Sequence, residues 1–115
     1  MHELAITQSI IDLAIEAAKR EDARAINQID LVIGDLSSIV DDSVQFYFDI
    51  LSKETLAAGA TLHFRREPAI AHCLDCGAQT PVKPPVAAFC PECDSQRIQI
   101  RGGKDFRMES IDIDN

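Results

Sequence analysis

The segments Cys-Leu-Asp-Cys at residues 73–76 and Cys-Pro-Glu-Cys at residues 90–93 decide how this chain is organised, and they contain all 4 of its cysteines. In a reducing compartment, paired Cys-x-x-Cys motifs favour metal binding over disulfides. Four thiolates suit a closed tetrahedral zinc site, which is structural because it leaves no position open for a substrate. The spacing therefore predicts Zn(II) bound by Cys73, Cys76, Cys90 and Cys93.

Two other uses of these cysteines have to be weighed. The turns Cys-x-x-Cys-Gly and Cys-Pro-x-Cys also look like the iron site of rubredoxin, and spacing alone does not separate zinc from iron. A redox dithiol is disfavoured, because it usually opens a helix, whereas both pairs here lie in turns rich in proline. All 5 prolines fall between Pro68 and Pro91, so little besides a metal is expected to order this segment.

Two helices are predicted before the cysteines. Apolar residues recur at helical spacing over residues 4–20, and the basic pair Lys19 and Arg20 suits the negative end of the helix dipole. A second helix is expected to start from an N-cap at Asp42, with Gln45 completing a capping box. It is expected to end before Gly59.

The strands predicted on either side of the cysteines need a common sheet. Alternating apolar residues mark strands over residues 28–34, 61–67 and 106–113, and a shorter strand at 98–100. The last long strand can only join the sheet that the first two form. The cysteine-rich segment is therefore inserted between strands of the same sheet. We expect an α/β fold, with two helices on a mixed sheet of about three strands. It comprises residues 1–67 plus 104–115, and residues 68–103 form an inserted zinc-ribbon-like module.

Composition narrows the classes of function. The chain has 115 residues and carries 19 acidic against 11 basic side chains, a formal net charge of −8, and only 5% of its residues are aromatic. These values disfavour nucleic-acid binding. The longest apolar run is the 5 residues 86–90, so no membrane span and a cytoplasmic protein are expected. No nucleophile–base pair at recognisable spacing indicates an enzyme.

The amino terminus offers a second set of metal ligands. The amine of Met1, the imidazole of His2 and the backbone nitrogen of Glu3 can close chelate rings around one ion. Nitrogen donors in a plane suit Ni(II) or Cu(II), whereas tetrahedral thiolates suit zinc. On the residues alone, an ordinary histidine at a frayed terminus is the simpler interpretation of His2.

The chain resembles the HypA family of hydrogenase maturation factors. The resemblance rests on Met1-His2-Glu3 before a helix, Ile33-Gly34-Asp35-Leu36-Ser37 after the first strand, the cysteine pairs, and the closing Ile111–Asp114 segment, and it covers essentially the whole chain. It implies a cytoplasmic nickel metallochaperone, not an enzyme, that binds Ni(II) and carries a structural Zn(II). The implied partners are a HypB-type maturation GTPase and the large subunit of [NiFe]-hydrogenase. A homodimer and a role in urease maturation stay open.

The resemblance also assigns individual residues. His2 matches the nickel-binding histidine of the family, Glu3 matches its neighbour, and the four cysteines match the zinc ligands. Val40 stands where the family often has an acid, so Asp41 either substitutes for it or only caps the second helix. His72, next to the cysteines, is a weaker candidate ligand. The alternative function is a zinc-ribbon protein-interaction module that has no nickel function.

Overall fold

The computed structural model describes residues 3–86 and 88–115, so Met1, His2 and Ala87 lie outside the described residues. In that part of the chain, neither helix has a stretch long and apolar enough to cross a membrane. The elements, in chain order, are α1 (Glu3–Arg20), β1 (Ala25–Gly34), α2 (Asp41–Leu51), β2 (Thr61–Glu67), β3 (Ala69–Cys73), β4 (Gln79–Val82), β5 (Ile98–Arg101) and β6 (Phe106–Asp114).

The predicted α/β fold class is confirmed. Strands β2, β1 and β6 form one three-stranded sheet in that order, and α1 packs on α2. Phe48 of α2 and Ile11 of α1 are fully buried with Ile29 and Leu31 of the central strand. Burying one side chain of this size contributes about 1.5–3 kcal/mol, so these contacts account for much of the attachment of the helices.

A second sheet contains strands that the sequence did not predict. It has the order β4-β3-β5, and both pairings are antiparallel. His72 of β3 lies opposite Gln79 on one side and Gln99 on the other. Pro81 is tolerated in β4 because β4 is an edge strand. It has one neighbouring strand, β3, so no N–H donor is needed on its other side.

The described chain divides into two compact units. The first comprises Met1–Val32, Ile39–Arg65 and Phe106–Asn115, and the second comprises Ile33–Ser38 and Arg66–Asp105. The second unit contains all four cysteines. The predicted nickel-binding domain, residues 1–67 plus 104–115, and the inserted zinc-binding module, residues 68–103, stay predictions.

The predicted cap of the second helix is wrong. Helix α2 begins at Asp41, its N-cap is Val40 in an extended conformation, and no side chain caps it. Gln45 Nε2 donates instead to Asp49 Oδ1 at 2.9 Å, one helical turn further along. Because the helix starts two residues earlier than the capping-box pattern requires, Asp42 lies inside the first turn.

Two glycines of the second unit allow a close backbone contact. Gly103 has φ +69°, and its carbonyl accepts the N–H of Leu36 at 2.7 Å. A Cβ atom on Gly34 would lie 2.2 Å from the Gly103 oxygen. Only a residue without a side chain fits at either position, so the predicted Gly102-Gly103 turn is also a packing site.

Candidate metal centre

The four predicted cysteine ligands come together at one point of the second unit. Their Sγ atoms all lie within 4.8 Å of one another. The Cys73–Cys93 and Cys76–Cys90 sulfur pairs are each 3.6 Å apart. A tetrahedral site with metal–sulfur bonds of about 2.3 Å has sulfur–sulfur edges of about 3.8 Å. All four are free thiols, so the arrangement fits a metal bound by four thiolates.

Each pair of cysteines lies on a turn with the same main-chain hydrogen bonds. The N–H of the first cysteine donates to a carbonyl five residues later, at 2.9 Å in the first turn and 2.8 Å in the second. The carbonyl of that cysteine accepts the N–H four residues later, at 3.1 and 2.9 Å. The donor of this second bond has positive φ in both turns, as Gly77 (+78°) and Asp94 (+62°). The two turns are therefore structural repeats that present their sulfurs alike.

Main-chain N–H groups point at the sulfurs. Cys76 N lies 3.4 Å from Cys73 Sγ, and Glu92 N lies 3.4 Å from Cys90 Sγ. Chiefly through the Cys76 N–H, the pKa of the Cys73 thiol falls from its usual 9.0 to about 6. Cys73 is therefore a thiolate at neutral pH.

The neighbouring thiols respond to that charge in the opposite direction. At Cys93 the N–H of Ser95 favours the thiolate, but the nearby Cys73 sulfur and desolvation outweigh it and raise the pKa to about 12. At Cys76 the N–H of Ala78 is outweighed in the same way, and the pKa is raised. Four sulfurs this close cannot all ionise unless a cation lies between them, as a divalent metal would.

A polar bridge joins the two turns and was not foreseen from the sequence. Asp75 Oδ1 accepts a hydrogen bond from Arg97 Nη1 at 2.7 Å, and its other oxygen accepts one from the Ser95 hydroxyl. The N–H of Leu74 donates to the Arg97 carbonyl at 2.7 Å. An acid between two cysteines and a basic residue just after the second pair are the only signals that the sequence gives.

The predicted nickel ligands fall at the edge of the described chain. His2 and Met1 lie outside the described residues. Glu3 opens α1, is buried, and its Oε2 accepts the N–H of Val40 at 3.4 Å. Its backbone nitrogen as a nickel ligand stays a prediction. In the described part of the chain, the cluster of side chains that could hold a metal ion consists of the four cysteines. It does not include His72 or Asp41.

A polar cluster lies around Asp30 in the sheet of the first unit. Asp30 accepts hydrogen bonds from the Ser110 hydroxyl and from Gln28 Nε2, each at 2.7 Å. His63 Nδ1 lies 3.3 Å from the same carboxylate, with its side chain largely exposed. Ser110, then Gln28 and His63, hold the pKa of Asp30 below its usual value. The cluster links three strands and binds the carboxylate in its charged form.

Comparison with known proteins identifies the family. The family model described as "Hydrogenase/urease nickel incorporation, metallochaperone, hypA" matches residues 1–113. The chain belongs to the HypA family. A relative from Dehalococcoides mccartyi (strain 195), named hydrogenase maturation factor HypA, is 41% identical over 115 residues, covering 100% of this chain and 96% of its own. A relative of the same name from Caldanaerobacter subterraneus is 37% identical, with 99% and 100% covered.

Solved structures agree with the family assignment. The solution structure of the Ni metallochaperone HypA from Helicobacter pylori has a TM-score of 0.67 and 25% identity, and covers 99% of this chain and 98% of its own. A second solution structure, titled HypA protein, has a TM-score of 0.70 and 28% identity, with 98% and 96% covered. The resemblance seen in the sequence is confirmed. This chain is a member of a nickel metallochaperone family and carries a four-cysteine metal-binding cluster.

Proposed function

We propose that this HypA-family chain binds Ni(II) at its amino terminus and delivers it to the large subunit of [NiFe]-hydrogenase, together with a HypB-type GTPase. The observation that carries the proposal is the family match, which starts at residue 1 and so includes the Met1-His2-Glu3 segment. The burial of Glu3 and its hydrogen bond to Val40 support it, because they attach the residue next to His2 to a folded unit. The proposed place of action is the cytoplasm.

In this proposal the His2 imidazole is the principal nickel ligand, and the Met1 amine and the Glu3 backbone nitrogen complete the set. An imidazole must be neutral to bind, with an ordinary pKa of about 6.5, and a terminal amine must lose a proton from a pKa of about 7.7–8. Nickel binding therefore releases protons and weakens in acid. Delivery is an exchange of ligands, in which stronger thiolate donors of the acceptor replace nitrogen donors. No covalent catalysis is involved.

We propose that the four-cysteine cluster binds Zn(II). A zinc ion with four thiolates is coordinatively closed, and it contributes folding free energy and charge neutralisation without reacting. Cys73, Cys76, Cys90 and Cys93 hold the ion. The bridge from Asp75 to Arg97 supports this role, because it fixes one ligand-bearing turn to the other at 2.7 Å.

A titration of zinc-loaded, untagged protein with Ni(II) tests the nickel site. We expect His2→Ala to abolish tight nickel binding while the protein keeps one zinc. His63→Ala is the matched control, because His63 is an exposed histidine on a strand and not a proposed ligand. We expect it to bind nickel like the parent. Equal nickel binding by the parent and His2→Ala would refute the site and leave a zinc-ribbon interaction module.

Delivery needs a separate measurement. Nickel-loaded protein, mixed with the nickel-free hydrogenase large subunit and the GTPase, should lose its nickel to the large subunit. The His2→Ala protein should transfer none. Transfer at the same rate from free Ni(II) alone would show that the chain does not act as the donor.

A further inference from the structure

The solvent side of helix α2 carries a large apolar side chain that the fold does not require. Val44 and Phe48 of α2 are buried in the core of the first unit. Phe46 lies two residues from each of them, which is about 200° around an α-helix, so it occupies the side of α2 farthest from the core. Its side chain is 60% exposed. A phenylalanine in this place adds little to the stability of the core.

Three neighbours at helical spacing surround Phe46 on the helix surface. Asp42 precedes it by four residues, and Asp49 and Ile50 follow it by three and four residues, so all three side chains adjoin the ring. Each of them is exposed, and the exposed fraction of Ile50 is 51%. We call Asp42, Phe46, Asp49 and Ile50 the α2 face. It consists of an apolar pair with two acids beside it.

The α2 face has features that favour binding over the stability of its own helix. Asp49 lies in the last turn of α2, where the helix dipole disfavours an acid. Residues that work against local stability are expected mainly at functional sites. The ring of Phe46 is also held in place by an edge-on contact with Tyr47, with the ring centroids 5.3 Å apart. A side chain that is already ordered loses less conformational entropy when it binds a partner.

The two acids decide which kind of surface fits the α2 face. Asp42 and Asp49 repel the phosphates of nucleic acids and of anionic lipids, as does the net charge of −8. A second copy of the chain that presented the same face would bring like charges together across a twofold axis. The complementary surface therefore belongs to a different protein. It has an apolar pocket for Phe46 and Ile50, with lysine or arginine side chains at the edge of the pocket.

The α2 face begins close to the residue that follows His2. Val40, the N-cap of α2, donates its N–H to the Glu3 carboxylate at 3.4 Å. Phe46 follows Val40 by six residues, which is about 9 Å along the helix axis. A protein that docks on Phe46 thus lies near Glu3. This place suits the partner that must reach the nickel ion to exchange its ligands.

We propose that the α2 face is the docking site for the nickel acceptor, which in the proposed function is the large subunit of the hydrogenase. Phe46 and Ile50 insert into an apolar pocket of the acceptor, and Asp42 and Asp49 pair with basic side chains at the edge of that pocket. The identity of the acceptor rests on the proposed function. Docking here holds the thiolates of the acceptor beside the first residues of the chain, so that nickel passes within the complex.

Calorimetric titration of the full-length protein, loaded with zinc and nickel, with the nickel-free large subunit tests the docking site. We expect Phe46→Ser and Ile50→Ser each to weaken binding by about tenfold or more, because both remove a central apolar anchor. Asp49→Lys should weaken binding and make it less sensitive to salt, because it removes an attraction to the basic edge. Leu13→Ser is the matched control, since Leu13 is 50% exposed on α1 of the same unit, and it should bind like the parent.

All of these variants should bind nickel and zinc like the parent, which separates docking from metal binding. Large-subunit binding that is unchanged in Phe46→Ser and Ile50→Ser would overturn the proposal, as would a parent that does not bind the large subunit. Loss of GTPase binding alone would assign the α2 face to the GTPase and overturn the proposal. So would a loss of self-association alone, measured by sedimentation equilibrium, which would assign the face to a second copy.

The proposed function fails in a different way. A parent that takes up no nickel, but binds the large subunit through Phe46 and Ile50, would contradict the nickel site and support the docking surface. Normal nickel transfer by Phe46→Ser and Ile50→Ser would support the nickel site and contradict the docking surface.

Discussion

Alanine substitutions at the adjacent glycines Gly102 and Gly103 should destabilise the protein by clearly different amounts. Both residues have positive φ, +74° and +69°. A Cβ atom at Gly102 would meet nothing within 4 Å, whereas at Gly103 it would lie 2.6 Å from the backbone nitrogen of Ala69. Comparing the two alanine variants therefore separates two contributions to the free energy of unfolding: the cost of a left-handed backbone conformation and the cost of a steric clash.

The magnitudes follow from these two effects. A left-handed conformation costs a non-glycine residue about 1–2 kcal/mol, and this applies equally to both variants. Overpacking adds about 1–3 kcal/mol where neighbours must shift, and the neighbour at Gly103 is the backbone at the start of β3, which has little freedom to move. We therefore expect a loss of about 1–2 kcal/mol for Gly102→Ala and about 2–5 kcal/mol for Gly103→Ala.

Urea denaturation of the metal-loaded variants, followed by circular dichroism, gives the free energies of unfolding. A chromophoric chelator reports in parallel whether each variant releases metal more readily. Equal destabilisation of the two variants, or a larger loss for Gly102→Ala, would refute the close packing of Gly103 against Ala69.

Four other outcomes are expected. Asp94→Gly should stabilise the second cysteine turn by about 0.5–1 kcal/mol in thermal unfolding, since Asp94 has φ +62° where the first turn has glycine. Relief of a left-handed cost of about 1–2 kcal/mol exceeds the entropic cost of glycine, about 0.5–1 kcal/mol; a loss of stability would contradict this. Thr7→Val should stabilise by about 1 kcal/mol in the same assay, because the buried Thr7 hydroxyl has no hydrogen-bond partner among the residues described, and a destabilised variant would indicate a missed partner. Asp30→Asn should be less stable near neutral pH. Folding lowers the pKa of Asp30 from its usual 3.8. The stabilisation from the charged Asp30 carboxylate is therefore complete above pH 3.8 and is lost as the pH falls through the folded pKa. The free energies of unfolding of parent and variant should converge in acid denaturation. Metal binding to the apoprotein at neutral pH should release protons from Cys76 and Cys93, whose pKa values are raised, and calorimetry in buffers of different ionisation enthalpy should show at least two.

Much of the first unit could be predicted from the sequence because its signals are local. Strand β2 has the predicted bounds, and β6 ends one residue beyond the prediction. Apolar alternation marks both strands because their apolar side chains pack against the core, although two consecutive exposed residues, Glu109 and Ser110, interrupt it in β6. The cysteine cluster could be predicted for a different reason, namely that its spacing reflects metal chemistry and does not depend on the surrounding fold.

The features that were missed depend on contacts between distant residues. Strands β3 and β4 are short, and β4 contains Pro81, so neither shows a strand pattern by itself. Each is held by pairing within its sheet, and β3 pairs with β5, which follows it by more than twenty residues. The start of α2 was misplaced because Val40 has no capping side chain, and its N–H bonds Glu3, 37 positions earlier. The bridge between Asp75 and Arg97 exists only once both cysteine turns have been brought together.

The two proposed metal sites differ in how much of the fold each one requires. The four cysteines lie on two repeated turns that the bridge at Asp75 joins, so an ion held by them is part of the folded structure. The proposed nickel ligands belong to consecutive residues and can close around an ion without any tertiary contact. A site of that kind has few neighbours to fix its geometry, so its ligands can be replaced one at a time by an acceptor. In the proposed function a carrier holds one ion permanently and another reversibly, and the four cysteines and the first three residues of the chain would divide these two tasks between them.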